Sequence, residues 1–130
     1  MSTLPELMKD VDDFVSLQPA DVSDIEAAEA KLGLSFAADF KEYLLAFGAA
    51  SFDGRELTGI CKSERLSVVS STERAREFYP NFPKNAYVIE ELGFDHILIV
   101  QKSNERVYSY GPGDSGQMIA ESLLQYLFPV

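Results

Sequence analysis

The chain holds one histidine, one cysteine and no tryptophan among 130 residues, and each scarcity removes a class of chemistry. A Ser–His–Asp or Cys–His nucleophile needs an imidazole, and only His96 can supply one. It sits between Asp95 and Ile97 at the head of an apolar run, where a structural or half-exposed histidine is the simpler reading. Nothing in the sequence supports a Cys61–His96 dyad. Cys61 cannot close an internal disulfide, so there is no sign of an oxidising compartment; it reads as a small buried hydrophobe. One Cys and one His cannot build a zinc site, and no Asp-x-Asp-x-Asp-Gly loop is present. Asp10, Asp12 and Asp13 cluster, but a helix would point them in different directions. Neither a metal nor a cofactor is expected. Gly111–Gly116 reads Gly-Pro-Gly-Asp-Ser-Gly, without the Gly-Lys-Ser/Thr ending of a phosphate-binding loop, and Asp114 would repel phosphate. It is expected to be a flexible connector.

Long apolar runs are also missing. No stretch approaches the roughly 18 residues needed to cross a bilayer, and the opening MSTLPELMKDVDDFV lacks the basic and apolar regions of a signal peptide. A cytoplasmic location is the resulting expectation. Basic residues are few: 11 Lys and Arg face 21 Asp and Glu, for a net charge of -10. The imbalance is uneven. Residues 1–47 carry ten acids and three lysines, 48–91 seven acids and six bases, and 92–130 four acids and two bases. Such a surface repels nucleic acid and anionic membranes, whose binding requires Lys and Arg. It attracts a basic protein, faster at low salt, although solubility alone would also account for it.

What is present is ordinary globular patterning. Hydrophobic residues make up 46% and charged residues 25%, and the length fits one domain spanning 1–130. Leu4, Leu7, Met8, Val11, Phe14 and Val15 predict a first helix with Pro5 in its first turn. Ser23 and Glu26 form a candidate capping box for a second, with Ile25, Ala28 and Leu32 on one face and Gly33 as a left-handed terminator. Ser35 is the candidate cap of a third, whose face is Phe36, Phe40, Tyr43, Leu44 and Phe47 and whose end is Gly48. Asp53-Gly54 signals a hairpin within a strand pair near 52–60. Ser71 or Thr72 would cap a short helix through Phe78, stopped by Pro80 and Pro83. Tyr87 and Ile89 alternate with Val88 and Glu90 in a strand over 86–91. Residues 94–101 read as a central strand apolar on both faces, 105–110 as its neighbour, and Ile119, Leu123, Tyr126 and Leu127 as a last helix. Phe78 and Phe82 either pin the Pro80–Pro83 segment onto the sheet or offer an aromatic contact loop. The sum is α+β: N-terminal helices packed against a mostly antiparallel sheet of about four to six strands, with a C-terminal helix.

The order Ile-x-x-x-Glu-x-x-Leu-Gly, then an aromatic-x-x-x-aromatic helix ending in Gly, over Ser23–Gly48, resembles the opening of the SUKH superfamily. That superfamily includes the fungal Smi/Knr cell-wall-assembly regulator domain and bacterial immunity proteins. The later order of elements fits too. Phe36-Ala37 and Phe47-Gly48 replace the usual helix-opening proline and the following Asn-Gly, and the tryptophan frequent in the later strands is absent. The resemblance implies a non-enzymatic binding scaffold: an immunity protein covering a polymorphic toxin, commonly a nuclease. The alternative is an intracellular scaffold or regulator of the Smi/Knr type with an endogenous partner. An acidic protein can compete for the basic surface with which a nuclease holds phosphates. The acids off the apolar stripes, Glu6, Asp10, Asp13, Asp53, Glu56, Glu90 and Asp95, are the expected partner-binding residues.

Overall fold

A computed structural model describes residues 3–92, 97–111 and 116–129. Their order is α1 (Leu4–Lys9), β1 (Val15–Ser16), α2 (Val22–Leu32), α3 (Ala38–Phe47), β2 (Ala50–Phe52), β3 (Arg55–Glu56), α4 (Val68–Phe78), β4 (Ala86–Glu91), β5 (Leu98–Lys102), β6 (Val107–Tyr110), β7 (Gln117–Ala120) and α5 (Leu123–Leu127). The strands divide between two antiparallel sheets, β1-β2-β3 and β4-β5-β6-β7. The fold is α+β, as expected. His96 and Asp95, and most of the Gly111–Gly116 connector, lie outside the described residues.

The first helix is shorter than its apolar spacing predicts. It closes at Asp10, and Val15 enters a strand instead. Thr3 caps it through a box with Glu6. Aspartate competes poorly inside a helix because its side chain bonds nearby backbone; here Asp13 spends both carboxylate oxygens on the Asp53 amide, at 2.8 and 2.9 Å. That bond ties the turn before β1 to the β2–β3 turn.

The caps of α2 and α3 also differ from expectation. Asp21, not Ser23, opens α2, accepting the Asp24 amide at 2.8 Å while Asp24 accepts the Asp21 amide at 3.2 Å. Ser23 lies inside the first turn. Ile25, Ala28 and Leu32 are buried and Gly33 terminates in the left-handed region, as the pattern predicts. Ser35 does not cap α3, which follows Ala37 without any side-chain cap. The amides there are taken from a distance: Glu29 accepts from Phe36 at 2.8 Å, and the Tyr87 hydroxyl accepts from Ala37 at 2.9 Å. The Tyr87 hydroxyl donates to the Gln101 side-chain oxygen, the Gln101 amide nitrogen donates to Asp39, and Asp39 accepts the Leu123 amide. One polar chain thus links α3, β4, β5 and α5 inside the protein.

The strands after the helices are paired in sequence order. Asp53 and Gly54, with φ of 53° and 73°, turn β2 into β3; two left-handed residues give the hairpin turn whose twist matches paired strands. Helix α4 begins earlier than expected, capped by Ser67. Ser71 and Thr72 are buried within it, and Thr72 accepts the Val88 amide at 3.0 Å. In β4 the register slips between Val88 and Glu90. Val88 faces Val100, but Glu90 faces Ile99. A bulge puts an extra residue in one strand and breaks its alternation, so Glu90 leaves the Val88 face and joins that of Tyr87 and Ile99. Ile119, expected in the last helix, belongs to β7, and α5 starts only after its cap, Ser122.

Two apolar cores cover the larger sheet. Phe36, Phe40, Tyr43, Leu44 and Leu123 pack on the face of Tyr87, Ile89, Ile99 and Val107. Ala75 and Phe82 pack on the face of Val88, Leu98, Val100 and Tyr110. The β5 strand is therefore buried on both sides, as its composition predicts. Phe82 pins the proline segment onto the sheet, its ring centroid 5.4 Å from that of Tyr110. Three backbones cross where α3 ends. Gly48 has φ 71°, and a Cβ there would lie 2.1 Å from the Gln18 carbonyl oxygen; a Cβ on Gly59 would lie 1.8 Å from that of Gly48. Only glycine permits this approach.

Candidate protein-binding surface

Five of the seven expected acids are exposed on the described surface: Glu6, Asp10, Asp13, Asp53 and Glu56. The fold gathers three around the β2–β3 hairpin. Asp53 forms the turn, Asp13 binds its amide, and Glu56 follows in β3, paired with Arg65. Glu6 and Asp10 sit at the two ends of α1, the first in its capping box and the second as its C-cap. Asp95 falls outside the described residues.

Glu90 is not a surface acid. Its residue is 4% exposed, a consequence of the bulge that turns it inward. Arg55 of the hairpin donates to both Glu90 oxygens, at 3.1 and 3.4 Å, and the Tyr126 hydroxyl donates to one. The Arg55 guanidinium carbon also lies 4.8 Å from the Tyr126 ring centroid, within cation–π range. Burial alone would lower the Arg55 pKa, but the hydrogen bond and charge of Glu90 override it and hold the guanidinium above its usual range. Burial, helped by the same carboxylate, raises the Tyr126 phenol. This cluster anchors the hairpin that presents Asp53 and Glu56. At the exposed end of β3, the hydrogen bond from Arg65 holds the Glu56 carboxyl below its ordinary value.

Neither Arg55 nor Tyr126 was among the expected site residues. Arg55 lies directly after the Asp-Gly turn, but no local pattern marks its partner 35 residues away. Cys61 is half-buried, its thiol directed at the Ser63 carbonyl at 3.6 Å. Among the described residues no three His, Cys, Asp or Glu side chains assemble as a metal site, and no helix is long and apolar enough to cross a membrane. The arrangement offers fixed surface charge on a hairpin held from beneath by a buried ion pair. Such a surface suits recognition of a charged partner.

Residues 2–129 match the family described as SMI1-KNR4 cell-wall, SUKH_5. No curated protein matches the chain.

Proposed function

The chain belongs to the SMI1-KNR4 cell-wall family, and from that premise we propose that it is a non-enzymatic protein-binding domain, an immunity protein that neutralises a basic toxin by covering its active surface. The observation that carries this reading is the one-sided charge: ten acids against three lysines in residues 1–47, continued by Asp53 and Glu56 on the anchored hairpin. A toxin that holds nucleic acid must present cations to phosphates. An opposing acidic protein is steered onto those cations and competes for them. The proposed contact set is Glu6, Asp10, Asp13, Asp53 and Glu56, with Glu90 acting through Arg55.

Affinity capture from lysate and culture fraction, at low and at physiological salt, tests the reading. Recovery of one basic toxin domain, retained better at low salt, supports it. The triple variant Asp10→Lys, Asp53→Asn, Glu56→Lys should then lose that partner while keeping the fold. Capture of housekeeping proteins at either salt would instead favour a regulatory scaffold, and unchanged affinity of the triple variant would remove this surface from the interface.

A further inference from the structure

Among the described residues, nothing pairs with the outer edge of the smaller sheet. β1 is its outer strand, and its inner edge is fully engaged: Val15 is in register with Ser51, Ser16 with Ala50, and the Leu17 amide donates to Ala49 at 2.9 Å. Antiparallel neighbours exchange hydrogen bonds at alternate residues. Since Leu17 bonds inward, Ser16 presents its N–H and C=O outward. Val15 and Leu17, on one face of the strand, are 59% and 44% exposed. Single exposed apolar residues are normal, but two beside an unpaired backbone edge are what proteins usually guard with lysine, proline or a covering element. β1 has no lysine or proline within it.

Another edge shows what such protection looks like. The outer side of β4 is closed by threonines: the Val88 amide donates to Thr72, and Thr58 donates to the Val88 and Ile89 carbonyls through its hydroxyl and amide, at 2.8 and 2.9 Å. β7 also leaves Met118 and Ile119 exposed, with the single acid Glu121 directly after it. β1 differs in its neighbours along the chain. Asp10, Asp12 and Asp13 precede it, Asp21, Asp24, Glu26 and Glu29 follow, and no Lys or Arg occurs between Lys9 and Lys31. The edge is also held in place, because the chain leaving it passes the Gly48 backbone at a distance only glycine tolerates. Preorganisation of this kind reduces the ordering cost of binding.

We propose that the outer edge of β1 receives an extended, lysine- or arginine-bearing segment of the partner as an added strand. Backbone bonds to Ser16 supply attachment, Val15 and Leu17 supply apolar contact, and the flanking aspartates select positive side chains. The proposal rests on the basic-partner reading given above and assigns that partner its entry point.

The test uses the full chain, isotope-labelled, and two short synthetic peptides, one alternating Lys and Val, the other Glu and Val. With the lysine peptide about ten times above its dissociation constant, exchange of the Ser16 amide should slow about tenfold, with resonance shifts at Val15–Leu17. The glutamate peptide should do neither. Ser16→Pro, which removes the outward donor, should abolish the peptide-induced resonance shifts at Val15 and Leu17, and separately the Val15→Lys, Leu17→Lys double variant should abolish the Ser16 protection, both at unchanged melting temperature. Binding of the lysine peptide elsewhere on the acidic surface, with Ser16 unprotected, overturns the edge and leaves the basic-partner reading standing. Equal protection by both peptides overturns the charge selection. Binding by neither overturns the edge, while the capture experiment judges the partner independently.

Discussion

Arg55 and Glu90 join the two sheets: the guanidinium on β3 donates to both oxygens of a carboxylate buried on β4. Removing one member of a buried pair leaves the other charge without compensation. Arg55→Ala should therefore destabilise the protein by about 3 kcal/mol in urea unfolding. Glu90→Gln keeps an acceptor and leaves only the partly exposed guanidinium unmatched, so its cost should be nearer 1 kcal/mol. Equal effects of the two changes would mean that Arg55 contributes by packing on Tyr126 rather than by neutralising Glu90. Because Arg55 carries the hairpin, Arg55→Ala should also weaken binding of a basic partner, although the loss of one positive charge would by itself strengthen it.

The caps of α2 and α4 make a second prediction. Asp21→Ala and Ser67→Ala should each cost about 1 kcal/mol, the usual loss for an N-cap. Ser23→Ala should stay within about 0.5 kcal/mol, as expected of a surface position with no such role. Thermal unfolding of the three single variants distinguishes them, and a Ser23 effect as large as that of Asp21 would place the start of α2 two residues later.

These caps mark the boundary of what local sequence conveys. The apolar faces of α2 and α3 are legible because each is a repeated pattern, and every member from Ile25 to Phe47 is buried as the spacing requires. The Asp-Gly hairpin is legible because two left-handed residues need that chemistry. Cap choice is harder: Asp21-x-x-Asp24 and Ser23-x-x-Glu26 are both plausible boxes, and the decision belongs to how the preceding loop packs. Ala37, which precedes α3, has no side-chain oxygen with which to cap it, and its own amide goes to the Tyr87 hydroxyl 50 residues away. The position of Glu90 depends on a bulge, which has no signature in a run as short as Ala-Tyr-Val-Ile-Glu-Glu. Of the candidate site, the surface acids on α1 and the hairpin were readable from patterning, whereas their anchorage by Arg55, Glu90 and Tyr126 is a tertiary fact.

The crossing of Gln18, Gly48 and Gly59 gives a third prediction. Gly48→Ala places a methyl group against the Gln18 carbonyl and in a left-handed conformation. Gly59→Ala places one against the Gly48 carbonyl, which also accepts the Ile60 amide at 2.9 Å. Backbone cannot rotate aside as a side chain can, so each change should cost about 3 kcal/mol or more, at the upper end of overpacking. Gly54→Ala provides the control, since its Cβ would meet nothing nearby and only the turn conformation is strained; its cost should be about 1 kcal/mol. Chemical denaturation of the three variants orders them, and a Gly59→Ala protein as stable as the parent would show that the crossing can open without loss.

Alkaline pH supplies the last. Tyr43, Tyr87 and Tyr126 have phenols raised above their ordinary value, chiefly by burial. In the unfolded chain each ionises near about pH 10. Above that pH the unfolded state gives up protons that the native state retains, so the native state binds more protons and stability must fall as pH rises. Below it the three groups make no pH-dependent contribution. Each phenol steepens the decline by about 1.4 kcal/mol per pH unit, giving about 4 kcal/mol per unit for the three together. Against a typical stability of about 5–15 kcal/mol, unfolding should follow within a few units of pH 10 and release the buried phenols cooperatively. Phenolate absorbance and circular dichroism should then change in one coincident step for these tyrosines. Tyr126→Phe should make the decline shallower by about a third, because one of the three protons no longer differs between states. If the three phenols instead ionise gradually near pH 10 while the dichroism persists, the native state admits their charged forms, and the Arg55–Glu90–Tyr126 cluster is more open to water than its geometry indicates.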